Sequence, residues 1–299
     1  MKITALNTRL IVTATLAAVF TVCAQSVNAE GVFKDPLETP ASIIGGAQTL
    51  AGQPMIAAEI VGQRIIAVGL RGLIVLSDDN GVTWRQAAVA VQSDLTAVVF
   101  PSAEVGFAVG HDGVILASKD GGETWEKKID GNAAETVLGD HYKAKIAAGD
   151  QSLEVYLEQV KFNTQGGAVL PYLGVHFEDE KVGYVVGAFG SIVKTDDGGD
   201  TWMPWLEHIE NPDFLHLNEI KKLGSDLYIV GEQGSVWKWS VTDNMFRRQA
   251  TGYGGSLFGI IGNANYLLTF GLGGNAFRSD DAGETWHPVQ TGAKAALTA

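Results

Sequence analysis

The sequence predicts an all-β protein, a β-propeller of four-stranded antiparallel blades with a helical insertion between blades two and three. Three observations predict it. A Ser/Thr-x-Asp-x-Gly-x-Thr-Trp phrase is written four times, ending at Trp84, Trp125, Trp202 and Trp286. Upstream of each copy lies an apolar run, a Gly-x-x-Gly and a second apolar run, as in "IIAVGLRGLIVLS" and "GFAVGHDGVILAS"; a fifth copy, "LYIVGEQGSVWKW", has lost the Asp phrase. The leading glycines are Gly69, Gly110, Gly187, Gly231 and Gly271, so the steps are 41, 77, 44 and 40 residues, and the long one implies an insertion. Radial repetition of four-stranded units at this period shields strand edges that an open sheet would expose.

The elements follow in chain order. Lys2 and Arg9 precede an uncharged run from Leu10 to Ala24, and Val27-Asn28-Ala29 closes it with small residues. Residues 1–29 are therefore expected to be a secretory signal, which places the mature chain in the periplasm or outside the cell. Cys23, the only cysteine, falls inside this segment, so the mature chain is expected to hold together without disulfides or thiolate metal ligands. Removing residues 1–29 takes away Lys2 and Arg9 and no acid, which leaves 19 bases against 34 acids and a net charge of −15. Such a chain disfavours nucleic acid and anionic lipid headgroups, both of which select basic patches. Residues 30–53 could close the ring with one strand or hold a degenerate blade, so five visible repeats leave room for six or seven blades. Residues 54–299 are assigned to the propeller.

Within each unit, the Asp phrase is a self-bonded turn. Asp79, Asp120, Asp197 and Asp281 can accept from backbone N–H groups of their own turns. Gly81, Gly122, Gly199 and Gly283 supply positive φ, and the four Trp rings wedge between sheets. The phrase also identifies a resemblance. It is the Asp box of BNR repeats, and the paired "VG-x-x-G" and "S-x-D-G-G-x-T-W" units look most like the photosystem II assembly and stability factor-like family and its exported bacterial relatives. That resemblance implies a non-enzymatic propeller that binds a membrane-protein partner. Exported relatives often accompany RND-superfamily transporters, so a periplasmic accessory or assembly role is what it suggests for this chain.

If the four strands alternate direction, the Asp phrases share one face with the first turn of each blade. The Gly-x-x-Gly tips share the other with the blade-to-blade links. The tips keep their glycines and vary what lies between them: Leu70-Arg71, His111-Asp112, Ala188-Phe189, Glu232-Gln233 and Leu272-Gly273. Variation on a rigid frame is how loops acquire function. The insertion, 132–162, enters the same face. Val137, Leu138, Tyr142 and Ile146 fall at helical spacing, and Leu153, Tyr156, Leu157 and Val160 repeat it after Gly149-Asp150, which predicts a helical hairpin that either plugs the pore or docks a partner. The next link gathers Met203, Trp205, His208, Asp213, Phe214 and His216.

The expected partner-binding set is Arg71, His111, Asp112, Phe189, Glu232, Gln233, Tyr142, Tyr156 and Trp205. No catalytic residue, cofactor or metal is expected. The histidines match no metal-ligand spacing, and no Gly-x-Ser-x-Gly elbow supports a nucleophile. The competing reading is a sialidase-like or other glycan-active enzyme, or a glycan-binding propeller. Mature arginines number six and lack the arrangement a carboxylate-gripping triad needs, but a glycosidase requires only two well-placed carboxylates.

Overall fold

Hydrogen bonding inside each Asp phrase explains why the four copies fold alike. The Ser or Thr hydroxyl that opens the phrase donates to the Asp carboxylate at 2.7 or 2.8 Å and accepts from the Gly N–H at 2.8 or 2.9 Å. Each carboxylate also accepts from the Thr hydroxyl at 2.6 Å. The four Gly φ values are 85, 90, 80 and 92°, a region that a Cβ makes costly.

The computed structural model describes residues 34–45, 50 and 52–298. The expected signal, 1–29, lies outside them. Asp35–Ala299 is one compact unit. It is built from five antiparallel sheets, and each consists of one repeat. Blade 1 is Met55–Val61, Arg64–Gly69, Ile74–Ser77 and Arg85–Gln86, and blade 2 is Leu95–Val99, Gly106–Gly110, Ile115–Ser118 and Thr124–Ile129. Blade 3 is Tyr172–Phe177, Gly183–Gly187, Ile192–Thr195 and Met203–Pro204. Blade 4 is Leu217–Leu223, Asp226–Gly231, Ser235–Ser240 and Met245–Ala250, and blade 5 is Leu257–Gly262, Leu267–Gly271, Ala276–Ser279 and His287–Val289. The short strand Ala88–Val89 adds to blade 2 in parallel, beside Thr124 and Trp125.

Among the described residues there are five blades, and residues 35–45 add no strand. They hold one 3-10 turn, Pro36–Glu38, and bond to the link between blades 1 and 2 through Ala41 N to Val89 O at 3.0 Å and Gln92 N to Pro36 O at 2.8 Å. The expected division of faces holds. Gly121 N and Gly198 N donate to Glu104 O and Lys181 O, which ties Asp phrases to first turns, while Gly72 N and Gly234 N donate to Ser93 O and Gly255 O in the links.

Neighbouring blades bury apolar faces against one another. Trp125 joins Ile66 and Leu76 of blade 1, Trp202 meets Phe177, whose ring stacks on Phe107 of blade 2, and Trp286 joins Tyr228 of blade 4. Polar ties reinforce the same seams: Arg64 to Gly121 O at 2.8 Å, Lys128 to Asp200 at 3.2 Å, Lys222 to Glu178, and Tyr228 Oη to Ala282 O at 3.0 Å. Innermost strands pack from blade 1 through to blade 5, and among the described residues no comparable packing joins blade 5 back to blade 1. At that open seam Trp84 is only half-buried, with Leu50 and Met55 beside it. Ala57 and Val61 pack toward blade 2, so Ile56 and Ile60 on the opposite face of their strand are 49% and 69% exposed.

The insertion is a helical hairpin, as expected, with one more residue at its start. Asp130 caps α1 (Gly131–Ala147) by accepting from Asn132 N and Ala133 N at 3.0 and 3.1 Å. Gly149 at φ 115° ends it, Asp150 caps the 3-10 turn Gln151–Leu153, and α2 (Glu154–Thr164) follows. Ala134, Leu138 and Tyr142 form the buried stripe of α1. Val137 does not belong to it and is 42% exposed, because it sits one residue round the helix from Leu138.

Candidate functional site

The five tips share one backbone shape. Their second residues, Arg71, Asp112, Phe189, Gln233 and Gly273, have φ of 55, 60, 50, 53 and 66°. Glycine is the residue that takes this conformation freely, as blade 5 does; the other four tips carry a side chain there at a conformational cost. The shared backbone shape gives those side chains a common departure direction on one face.

The structure separates the expected set into exposed and buried members. Arg71, His111 and Gln233 are exposed, and Phe189 is 39% exposed. The Arg71 side chain makes no hydrogen bond or ion pair among the described residues. Asp112 and Glu232 are half-buried and committed to their own links: Asp112 accepts from Ser93 Oγ at 2.7 Å, and Glu232 accepts from His216 N at 2.8 Å.

Two members are buried. Tyr142 is fully buried, with its hydroxyl bonded to Glu207 and Leu206 N, so it fastens the hairpin to the propeller. Trp205 is 8% exposed and stacks on Trp239 at 5.0 Å and 22°, with His208 at 4.5 Å and Tyr184 at 5.1 Å. Tyr142 sits between the two hairpin helices and the link, and Trp205 between blade 3, blade 4 and His208. Tyr156 is half-buried, with its ring 6.1 Å from Tyr142 and 6.4 Å from Phe214.

One exposed residue was missed. Phe162 on α2 is 54% exposed and meets Phe189 edge-on at 6.1 Å, while Phe189 meets His216 at 4.6 Å. Gln159 Nε2 and Asn163 Nδ2 both donate to Phe189 O at 3.3 Å, which fixes α2 to the tip. The sequence signal was the seven-residue spacing of Val155 and Phe162, which puts both on the side of α2 away from Val160. Hairpin and tip together present a braced aromatic pair to solvent.

The channel along the axis is lined by the innermost strands of all five blades and by no residue of the hairpin. Two carboxylates line it. Burial raises the Glu59 carboxyl, partly offset by the charge of Lys221. Burial raises Glu219 as well, against the pull of Lys221 and the Ile260 N–H. Glu219 is occupied, because one of its oxygens accepts from Ile260 N at 2.7 Å and the other lies 3.5 Å from Lys221 Nζ. Among the described residues no group of three His, Cys, Asp or Glu could hold a metal.

Comparison with known proteins fits this geometry. No curated protein matches the chain. Solved structures share the fold: YCF48 bound to a D1 peptide is 16% identical with a TM-score of 0.50 over 79% of this chain and 69% of that chain. YCF48 from Cyanidioschyzon merolae is 15% identical, with a TM-score of 0.53 over 80% of this chain and 72% of that one. The GH74 xyloglucanase from Xanthomonas campestris is 14% identical with a TM-score of 0.53, and the match covers 86% of this chain but 38% of the xyloglucanase. The family model described as photosynthesis system II assembly factor YCF48 matches residues 75–171 and 150–293, which together span more than half the sequence and take in the hairpin and blades 2 to 5. The chain therefore belongs to the family of the photosynthesis system II assembly factor YCF48.

Proposed function

We propose that this chain is a non-enzymatic periplasmic accessory factor that docks onto a component of a membrane-protein complex, an RND-superfamily transporter being the expected class. Family membership supports an assembly or binding role in general. The observation that carries the docking reading is the Phe162–Phe189 pair, two exposed rings 6.1 Å apart on a braced hairpin and a strained tip. Aromatic side chains in such rigid settings lose little entropy on binding and dominate interface energetics. Arg71, His111 and Gln233 on the same face supply polar contacts around them. The occupied state of Glu219 argues against a pair of free carboxylates across the channel, and so supports binding over glycoside hydrolysis.

The test is a tagged capture of the mature chain from its own cell envelope after mild crosslinking, compared with a Phe162→Ser, Phe189→Gly variant. The glycine relieves backbone strain at the tip, so the variant is expected to stay folded. A transporter or assembly subunit recovered with the natural chain and lost with the variant supports the proposal. Equal recovery with both sinks it and sends attention to glycan binding and hydrolysis assays.

A further inference from the structure

The channel encloses about 620 Å³ and is lined, besides Phe270 and Thr298, by five strands that the repeat renders comparable position by position. Each innermost strand carries a register shift at the same place, after Met55, Leu95, Tyr172, Leu217 and Leu257. Counting from those residues, the third position is Ala57, Ala97, Gly174, Glu219 and Gly259, and the fifth is Glu59, Val99, His176, Lys221 and Ile261. Small residues at the third position let blades close up; a Cβ on Gly174 would stand 3.0 Å from Glu219 Cα. At the fifth position blades 2 and 5 carry the apolar Val99 and Ile261. Glu59, His176 and Lys221 stand at the same level in the other three blades, and all three line the channel.

Glu59 and His176 have no hydrogen bond from the protein among the described residues, and Lys221 has one long pairing with Glu219. Glu59 is half-buried and has neither a hydrogen bond nor an ion pair among the described residues. The His176 Nε2 is enclosed without a hydrogen bond, with Glu178 at 3.8 Å as its nearest carboxylate. Lys221 Nζ pairs at 3.5 Å with the Glu219 oxygen that Ile260 N leaves free, and its side chain is 44% exposed to the channel side of the blades. Glu59 and His176, partly withdrawn from water without a hydrogen bond, cost stability, and their convergence with the cation of Lys221 on one cavity marks a binding site.

We propose that this level of the channel binds a small zwitterion, an α-amino acid or the end of a short peptide. The ligand's ammonium pairs with Glu59 and its carboxylate with Lys221, with the His176 ring lining the same level beside them. The charges select this class. A metal ion would face the Lys221 ammonium, a polyanion would face Glu59 and Glu219, and a neutral sugar would leave the Glu59 charge unpaired. The tip-face aromatic pair takes no part, so this site stands apart from the docking proposal.

The test is titration calorimetry of the mature chain at pH 7 with glycine, L-alanine and the dipeptide alanyl-alanine, repeated on Glu59→Gln and Lys221→Met. Saturable binding of at least one probe, weakened about tenfold or more in each variant, is expected from the loss of a charged contact. Binding is also expected to shift the His176 side-chain nitrogen resonances in the natural chain, a readout that needs no variant to fold. Absence of saturable heat with all three probes up to about 10 mM, or binding unchanged by both substitutions, overturns the proposal.

Discussion

Tyr142 Oη donates a 2.5 Å hydrogen bond to Glu207 Oε2 and accepts one of 3.1 Å from Leu206 N. One hydroxyl thus joins the first hairpin helix to the link after blade 3. Burial and then the neighbouring carboxylate hold the phenol proton in place well above the usual range. Tyr142→Phe leaves the ring's packing intact but strips Leu206 N of its acceptor and Glu207 of a donor, with Lys145 at 3.1 Å still on the other carboxylate oxygen. A loss of about 1–3 kcal/mol is expected in urea unfolding. A midpoint equal to that of the natural chain would show that the link holds the hairpin without this bond.

The Asp phrases make stability depend on acid. Hydrogen bonds from Thr83 and Thr285 pull the Asp79 and Asp281 carboxyls down to about 2. In Asp120 and Asp197 burial opposes the same bonds, and the net direction is still down. A folded-state value below the unfolded one of about 3.9 means that the unfolded chain binds more protons in that window, so stability rises with pH there. It is fully present above about pH 4 and drains away as pH falls toward 2. Thermal midpoints measured from pH 5 to pH 2 should fall steeply, and Asp79→Asn with Asp281→Asn should flatten the fall. A profile unaffected by both substitutions would assign the acid sensitivity elsewhere.

The two Trp wedges of blades 1 and 2 are chemically alike and differ in what they face. Trp125 is 2% exposed between two blades, whereas Trp84 is half-buried at the open seam. Trp125→Ala should cost about 3–5 kcal/mol through cavity formation, and Trp84→Ala clearly less. Equal costs in chemical denaturation would mean that the seam closes in solution.

Gln233 holds φ 53° with an exposed side chain at a tip where blade 5 uses Gly273. Gln233→Gly should be neutral or stabilise by up to about 1 kcal/mol, because relief of the left-handed conformation outweighs the added freedom of the unfolded chain. A drop in the thermal midpoint would show that Gln233 makes contacts worth more than its strain.

Much of this architecture was legible in the sequence because the repeat writes it five times. The strands, the Asp-phrase turns, the tips and the hairpin follow from glycine spacing and helical periodicity. What periodicity cannot convey is the neighbour across a gap. Tyr142 and Trp205 look like interface aromatics until Glu207 and Trp239 are placed against them, and Phe162 acquires meaning only beside Phe189. The alignment that shows the Glu59, His176 and Lys221 level was available from sequence alone. Its significance came from the channel, where those side chains converge.

Among the described residues, the open seam between blades 5 and 1 gives the array two ends. In an array where each unit touches only its neighbours, stability is a sum of unit and interface contributions, so a unit with one interface opens before a unit with two. Blades 1 and 5 should therefore fray first, and native-state hydrogen exchange should slow toward blade 3, the central unit against which the hairpin is fastened. The tip that carries Phe189 belongs to that slowest region, so the proposed docking face is built on the part of the chain that opens last.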